Sequence, residues 1–373
     1  MAQLKLKFFL VLILFQLFPK LLFPQNQEIG RKYNYTVGAH LFGGMILNIS
    51  ESVGHLIRSH PTGFEVYAHL NTYGNKPWEA YFNYPDLGFA INYVETHNPE
   101  IGQVISLFPY INFYFLRAGR FQVYYHGGVG TGIATKPYER ENNNKNTFIS
   151  SRFNFTLQTR LGLKFLYSPR ITLNTSLSLT HSSNGSYKSP NNGLNVVSVD
   201  LGLWYTFNSI KPYYKNPLSG IPNTRKLRLN VVLAFGMKEL DEDKGNKYPS
   251  YTLQTYGDLQ INSSRAFHFG FDFFSNMAIK KRIRLDPSLK SQKRLPDHKR
   301  IGLIIGHEVF FDQVSFVTQI GTYIYNPYKM GGELIYQRIR LKYNWKDKYS
   351  ISVALKAHRS KADNVEWGIA YRL

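Results

Sequence analysis

Arg152-Phe-Asn-Phe-Thr-Leu-Gln-Thr-Arg-Leu-Gly-Leu-Lys-Phe-Leu-Tyr167 alternates with a period of two. Phe153, Phe155, Leu157, Thr159, Leu161, Leu163, Phe165 and Tyr167 fall on one face. Arg152, Asn154, Thr156, Gln158, Arg160, Gly162 and Lys164 fall on the other. Successive side chains of a strand point to opposite faces, so the segment reads as a strand with one apolar and one charged side. In a soluble sandwich the apolar side would be buried in protein. Here the other side is too long and too charged for that, and lipid outside with a wet lumen inside fits better.

The same alternation recurs in Leu227–Met237, in Phe267–Phe273 with His268, Gly270 and Asp272 between, and in Ile335–Trp345 with Arg338, Arg340 and Lys342 inward. The chain ends on Val365, Trp367, Ile369, Tyr371 and Leu373 along one face, an amphipathic terminal strand. No apolar stretch after the first residues is long enough for a spanning helix. Brief turns at Arg117–Arg120, Ser168–Arg170, Asn262–Arg265, Asp312–Gln313 and Trp345–Lys348 separate longer polar connections. Those are Lys136–Thr147, Ser183–Leu194, Lys238–Ser250, Asn276–Lys299 and Asn326–Leu334. Short turns on one side and long loops on the other mark a membrane barrel. The expected fold is all-β, a transmembrane antiparallel barrel of about 14–16 strands. Asn208–Lys226, with Pro212, Pro217 and Pro222, is long where a short turn is expected. It joins either two halves of one barrel or two small barrels. A single closed sheet, which removes every edge, is favoured.

Lys5 and Lys7 precede the apolar run Phe8–Phe18 and a Pro-containing stretch ending at Pro24. This layout reads as a signal peptide over residues 1–24, leaving a barrel over 25–373. Zero Cys excludes a disulfide framework and a lipid-anchored Cys. The balance of 45 Lys+Arg against 24 Asp+Glu favours an anionic lipid surface as partner. Nucleic acid is not expected for an exported barrel, despite the basic charge.

One hairpin departs from the pattern. Ile171, Leu173, Leu177, Leu179, His181 and Ser183 share an outward face that turns polar only at its end. On the return strand, Asn195, Val197, Val199 and Leu201 share the matching face. A roughly symmetric loop therefore brings His181, Ser183 and Asn195 together on an apolar wall at the membrane edge. Polar groups there are costly unless they do something. Acyl-ester hydrolysis supplies a reason: Ser183 as nucleophile, His181 as base, and Asn195 holding the imidazole tautomer. Asn184, or backbone N–H groups near Gly185, would supply the oxyanion donors. The bland reading is a polar loop that merely begins at His181. Asp200 lies on the lumenal face and does not compete with Asn195.

His181-x-Ser183-Asn184-Gly185, followed by Pro190-Asn191-Asn192-Gly193 and a polar residue fourteen positions after the His, resembles the lipid A 3-O-deacylase (PagL-like) family. That resemblance implies an outer-membrane barrel of a Gram-negative bacterium that removes an ester-linked acyl chain from lipopolysaccharide. It further implies His181 and Ser183 as base and nucleophile and Asn184 as oxyanion donor. It divides the barrel into a deacylase-like half, 33–208, a connector, 209–226, and a second half, 227–373. The family's acidic third member stands here as Asn195. That substitution is similar to outer-membrane phospholipase A, whose triad is His, Ser and Asn, although the upstream Trp-rich hallmark is missing. The phospholipase reading would bring a diacyl phospholipid substrate and a Ca²⁺ ion. The deacylase reading needs no cofactor. A passive porin or adhesin barrel is the third possibility, and requires that the three side chains do not converge.

Lys280, Lys281, Arg282 and Arg284 lie in an outer connection, where they could meet lipid phosphates or simply be solvated. No His, Asp or Glu spacing indicates a metal site. Oligomeric state is not legible.

Overall fold

In a computed structural model, residues 33–48, 51–207, 214–215, 226–329, 334–359 and 361–373 are described. The expected signal peptide, nearly all of the 209–226 connector and part of the Asn326–Leu334 connection lie outside them. No described helix is long and apolar enough to cross a membrane.

Sixteen strands run in chain order. The first eight are β1 (Asn34–Ile46), β2 (Thr62–Asn71), β3 (Asp86–Glu95), β4 (Gln103–Ala118), β5 (Phe121–Ala134), β6 (Phe153–Leu166), β7 (Ile171–Ser183) and β8 (Leu194–Phe207). The second eight are β9 (Lys226–Leu240), β10 (Asp243–Asn262), β11 (Arg265–Asn276), β12 (Lys299–Phe311), β13 (Val314–Tyr325), β14 (Ile335–Trp345), β15 (Tyr349–His358) and β16 (Lys361–Arg372). Each strand pairs antiparallel with its neighbours. The sheet closes twice, β8 back onto β1 and β16 back onto β9.

The expectation of one large barrel is therefore corrected: the chain forms two closed eight-stranded barrels. The physical reason lies in the inward side chains. Eight strands enclose a lumen that side chains can fill, whereas sixteen leave an aqueous channel. Tyr67, Phe108, Tyr110, Tyr114, Tyr124 and Trp204 pack against one another inside the first barrel. Phe274, Tyr323 and Tyr336 do the same in the second. In a wide channel these rings would have no partners.

Charges share the lumens and are paired there. In the first barrel Arg160 bridges Glu65 at 3.0 Å and Asp200 at 3.3 Å, and Lys164 meets Asp86 at 3.1 Å. In the second, Arg338 joins Asp272 and Glu366 at 2.8 Å each, while Lys342 and His268 both reach Glu308. His268 and Asp272 thus line the lumen, as their alternation indicates. The outward faces carry exposed Leu, Phe, Ile and Tyr along nearly every strand. Unpaired charge is costly in a low-dielectric interior, so the paired lumen and apolar wall together suit a barrel set in lipid.

The ends differ. Turns after β4, β6, β10, β12 and β14 are short. At the opposite end, Val53, Leu56, Ile101, Phe148 and Ile149 from three long connections pack onto Phe42, Ile46, Val94, Val104, Ala134, Leu194 and Val196. An apolar plug therefore closes the outer mouth of the first barrel.

Two connections depart from the expectation. Lys238–Ser250 is a strand extension with a tight turn at residues 241–242, held by the pairs Lys247–Glu239 and Tyr248–Asp243. Its polar composition reads as a loop, but a hairpin projecting into water is polar on both faces. The connection between β2 and β3 is long and carries a short helix, α1 (Pro77–Tyr81). It reaches the second barrel, where the Trp78 ring meets Phe311, Tyr81 Oη accepts from Asn262 at 2.9 Å and Lys76 pairs with Asp312.

Candidate active site

On β7 the even positions Thr172, Asn174, Ser176, Ser178, Thr180 and Ser182 are buried in the lumen. His181 and Ser183 consequently face out. Register places His181 directly opposite Asn195 on β8. It also places His181 beside Leu157 and Ser183 beside Phe155 on β6. The neighbouring outward side chains Leu157, Leu177 and Val199 are exposed. An apolar wall thus runs down from a polar rim, a surface suited to an acyl chain.

The three side chains converge. His181 Nδ1 lies 2.7 Å from Asn195 Oδ1, and His181 Nε2 lies 2.8 Å from Ser183 Oγ. The proton positions follow from the amide. Asn195 Nδ2 donates to the Gly193 carbonyl at 3.3 Å, so Oδ1 must face the ring. An amide oxygen only accepts, hence Nδ1 carries the hydrogen and Nε2 presents its lone pair to the Ser183 hydroxyl. That is the tautomer a general base needs. Ser183 is only 7% exposed, which shields the pair from bulk water. Asp200 sits in the lumen, accepting from Ser176, Ser178 and Ser198, and takes no part.

The loop after Ser183 is held by its own side chains. Asn184 donates from Nδ2 to Ser150 Oγ at 3.0 Å and to the Lys188 carbonyl at 2.9 Å. Its N–H donates to Asn191 Oδ1 at 3.1 Å. Both amide hydrogens are engaged, so the Asn184 side chain is a fastener of the loop, contrary to the expectation that it is a free donor. The N–H groups of Gly185 and Ser186 have no hydrogen-bond acceptor among the described residues, and both residues have positive φ. Gly185 also touches the second barrel: a Cβ there would lie 2.4 Å from Val365 Cγ2. Ser186 Oγ donates to the Ala362 carbonyl at 2.7 Å, and its own carbonyl accepts from the Glu239 N–H at 3.2 Å. The second barrel therefore braces the loop next to the triad. Nothing in the sequence marks this, because the contacts are made mainly by backbone groups and small side chains.

The basic segment forms helix α2 (Met277–Leu285) with Asn276 accepting from the N–H groups of Ala278 and Ile279 as its cap. Lys281 pairs with Asp243 at 3.4 Å and Arg282 with Glu242 at 3.0 Å. Lys280 and Arg284 are exposed. The helix stands over the outer end of the second barrel, away from the catalytic side chains themselves. Among the described residues no group of three or more His, Asp or Glu is placed to hold a metal.

Two family models match the chain, one in each barrel. Residues 62–204 match the family described as Lipid A 3-O-deacylase (PagL), and residues 227–373 match Acyloxyacyl hydrolase, C-terminal domain. No curated protein matches the chain. Among solved structures, the outer membrane enzyme PagL aligns 97% of its chain with 45% of this one, at 18% identity and a TM-score of 0.31. Neisserial surface protein A aligns 97% of its chain with 46% of this one, at 10% identity and a TM-score of 0.33. The Acinetobacter baumannii outer membrane protein Omp33 aligns 99% of its chain with 92% of this one, at 8% identity and a TM-score of 0.17. Each barrel thus matches one part of a single ester-hydrolase family, and the chain belongs to the outer-membrane lipid A 3-O-deacylase (PagL) family.

Proposed function

We propose that the first barrel hydrolyses an ester-linked acyl chain of lipid A, in the outer membrane of a Gram-negative bacterium, with Ser183 as nucleophile. The observation that carries this reading is His181 poised between Asn195 Oδ1 and Ser183 Oγ on a lipid-facing wall. The acyl chain lies along Leu157, Leu177 and Val199, and the sugar headgroup stays at the polar rim.

His181 Nε2 takes the Ser183 proton as Oγ attacks the ester carbonyl. The oxyanion that forms is held by the Gly185 and Ser186 N–H groups. Collapse breaks the bond to the sugar oxygen, which leaves with the proton from His181. Water then gives its proton to His181 and attacks the acyl-serine, releasing the fatty acid and restoring Ser183. Asn195 fixes the ring and its tautomer. Being neutral, it stabilises imidazolium less than a carboxylate would.

A second reading is favoured by one observation: the third member is an amide and not an acid, as in outer-membrane phospholipase A. The deciding experiment incubates purified wild type and Ser183→Ala, in detergent, with lipid A and with a diacyl phospholipid, and reads products by mass spectrometry. Lipid A that loses one acyl chain only with the wild type supports the deacylase. Lysophospholipid instead moves the activity to phospholipase A. Neither product, with both proteins folded, leaves a passive barrel.

A further inference from the structure

The outer mouth of the second barrel holds a pocket of about 340 Å³, roofed on one side by α2 and on another by the catalytic loop. Arg300 and Lys238 line it from the second barrel, and Ser186 and Asn191 line it from the first. Two of its three acids are already ion-paired. Asp363 bridges Lys238 at 2.6 Å and Lys356 at 3.0 Å. Glu239 is paired with Lys247, and Asp241 accepts from Ser189 Oγ at 2.6 Å.

Two cations are left over. Arg300 is 3% exposed, donates from Nη2 to the Tyr328 carbonyl at 3.2 Å, and has no carboxylate partner among the described residues. Its Nε is buried without an acceptor. Lys361, on the exposed rim, has no ion pair among the described residues either. A buried guanidinium without a counter-charge is costly, and its planar fork matches a tetrahedral oxyanion.

We propose that this mouth is an anion subsite taking a phosphate monoester on the sugar headgroup of the lipid whose acyl ester lies at Ser183. The assignment rests on the deacylase reading above for its choice of lipid. Asn191 links the two places: it lines the pocket, and its Oδ1 holds the Asn184 N–H next to the nucleophile. A headgroup seated between Arg300 and Lys361 therefore touches the loop that carries the catalytic serine. On this account the second barrel supplies recognition and the first supplies chemistry.

The test uses the full-length Ser183→Ala protein in detergent, which binds without turnover. It is titrated calorimetrically with phosphorylated lipid A, with the same lipid dephosphorylated, and with inorganic phosphate alone. The phosphorylated lipid is expected to bind roughly tenfold or more tighter than the dephosphorylated one, the scale of a charge-assisted paired hydrogen bond. Adding Arg300→Gln removes that preference, and adding Lys361→Gln, at an exposed position, weakens it. Heat-modified gel migration confirms that each variant is folded. Equal binding of the two lipids, or a preference untouched by both variants, overturns the subsite. Inorganic phosphate binding as tightly as the lipid also overturns the headgroup assignment. The two readings fail separately. Hydrolysis by wild type without a phosphate preference sinks only the subsite. An Arg300-dependent preference in a protein that cleaves neither lipid sinks only the deacylase.

Discussion

Gly193 lies against the ring of His181: a Cβ placed on Gly193 would sit 2.6 Å from His181 Cε1. The residue also has φ +77, a region that L side chains adopt at a cost. Its carbonyl accepts from Asn195 Nδ2, so one glycine both makes room for the base and orients the group behind it. Gly193→Ala is expected to push the imidazole off the Ser183 hydroxyl. The rate constant kcat should fall at least tenfold while the barrel still folds, because a misplacement of about 1 Å costs that and more. Steady-state kinetics on lipid A alongside heat-modified migration checks both halves.

Ser183→Ala and His181→Ala should each lower kcat by roughly 10³-fold or more, since nucleophile and base act as a unit. Asn195→Ala should cost less than either. Asn195→Asp is expected to raise kcat, because a carboxylate at the same 2.7 Å position stabilises the imidazolium. A slower Asp variant would mean that the amide's bond to the Gly193 carbonyl matters more than charge.

The pH profile follows from the tautomer. His181 must be neutral to accept the Ser183 proton, so the active form is lost as pH falls. Activity should be flat in the alkaline direction and decline with a slope of one proton in the acid range, as the imidazole takes up a proton. A rate that stays constant from about pH 8 down to the acid pH at which the barrel itself unfolds would remove His181 from the role of base.

Chelation separates the two lipid hydrolases. On the deacylase reading the ester is cleaved without a metal ion, so EDTA is expected to leave lipid A hydrolysis unchanged. Recovery of activity only on adding Ca²⁺ would favour the phospholipase reading.

Stability of the second barrel should depend on its buried ion triad. Arg338→Ala leaves Asp272 and Glu366 facing each other without their shared guanidinium. Breaking a buried pair this way costs about 3–5 kcal/mol. Unfolding of the variant in urea with lipid micelles should therefore begin at clearly lower denaturant than for wild type. Replacement by Met is expected to be no better, since both acids remain.

Much of this was legible in the residues and some was not. The faces of Arg152–Tyr167 and of the 171–207 hairpin could be read because the strand period is two and lipid tolerates only one kind of side chain. The meeting of His181 with Asn195 could be anticipated from parity and a nearly symmetric loop. Closure could not be read from alternation, which is the same whether β8 pairs with β1 or with β9. The inward Tyr124 and Trp204 carried the missing signal, because such rings demand a packed lumen. The engagement of Asn184 was also hidden. Its partners Ser150 and Lys188 reach it through loop geometry, which has no periodicity. The same holds for α1 and for the bracing of Gly185 by Val365.

The plug over the first barrel and the short turns at its far end give the catalytic wall a sidedness. Ser183 stands at the plugged end, level with the last outward residues of β7, and among the described residues no such trio faces out near the turns. Only molecules packed in the outward-facing monolayer can present an ester carbonyl at that height. The enzyme would thus sort its substrates by leaflet before any bond is made, and an ordinary phospholipid would become accessible only when membrane asymmetry fails. Cleavage of a lipid confined to the opposite leaflet of asymmetric proteoliposomes would contradict this.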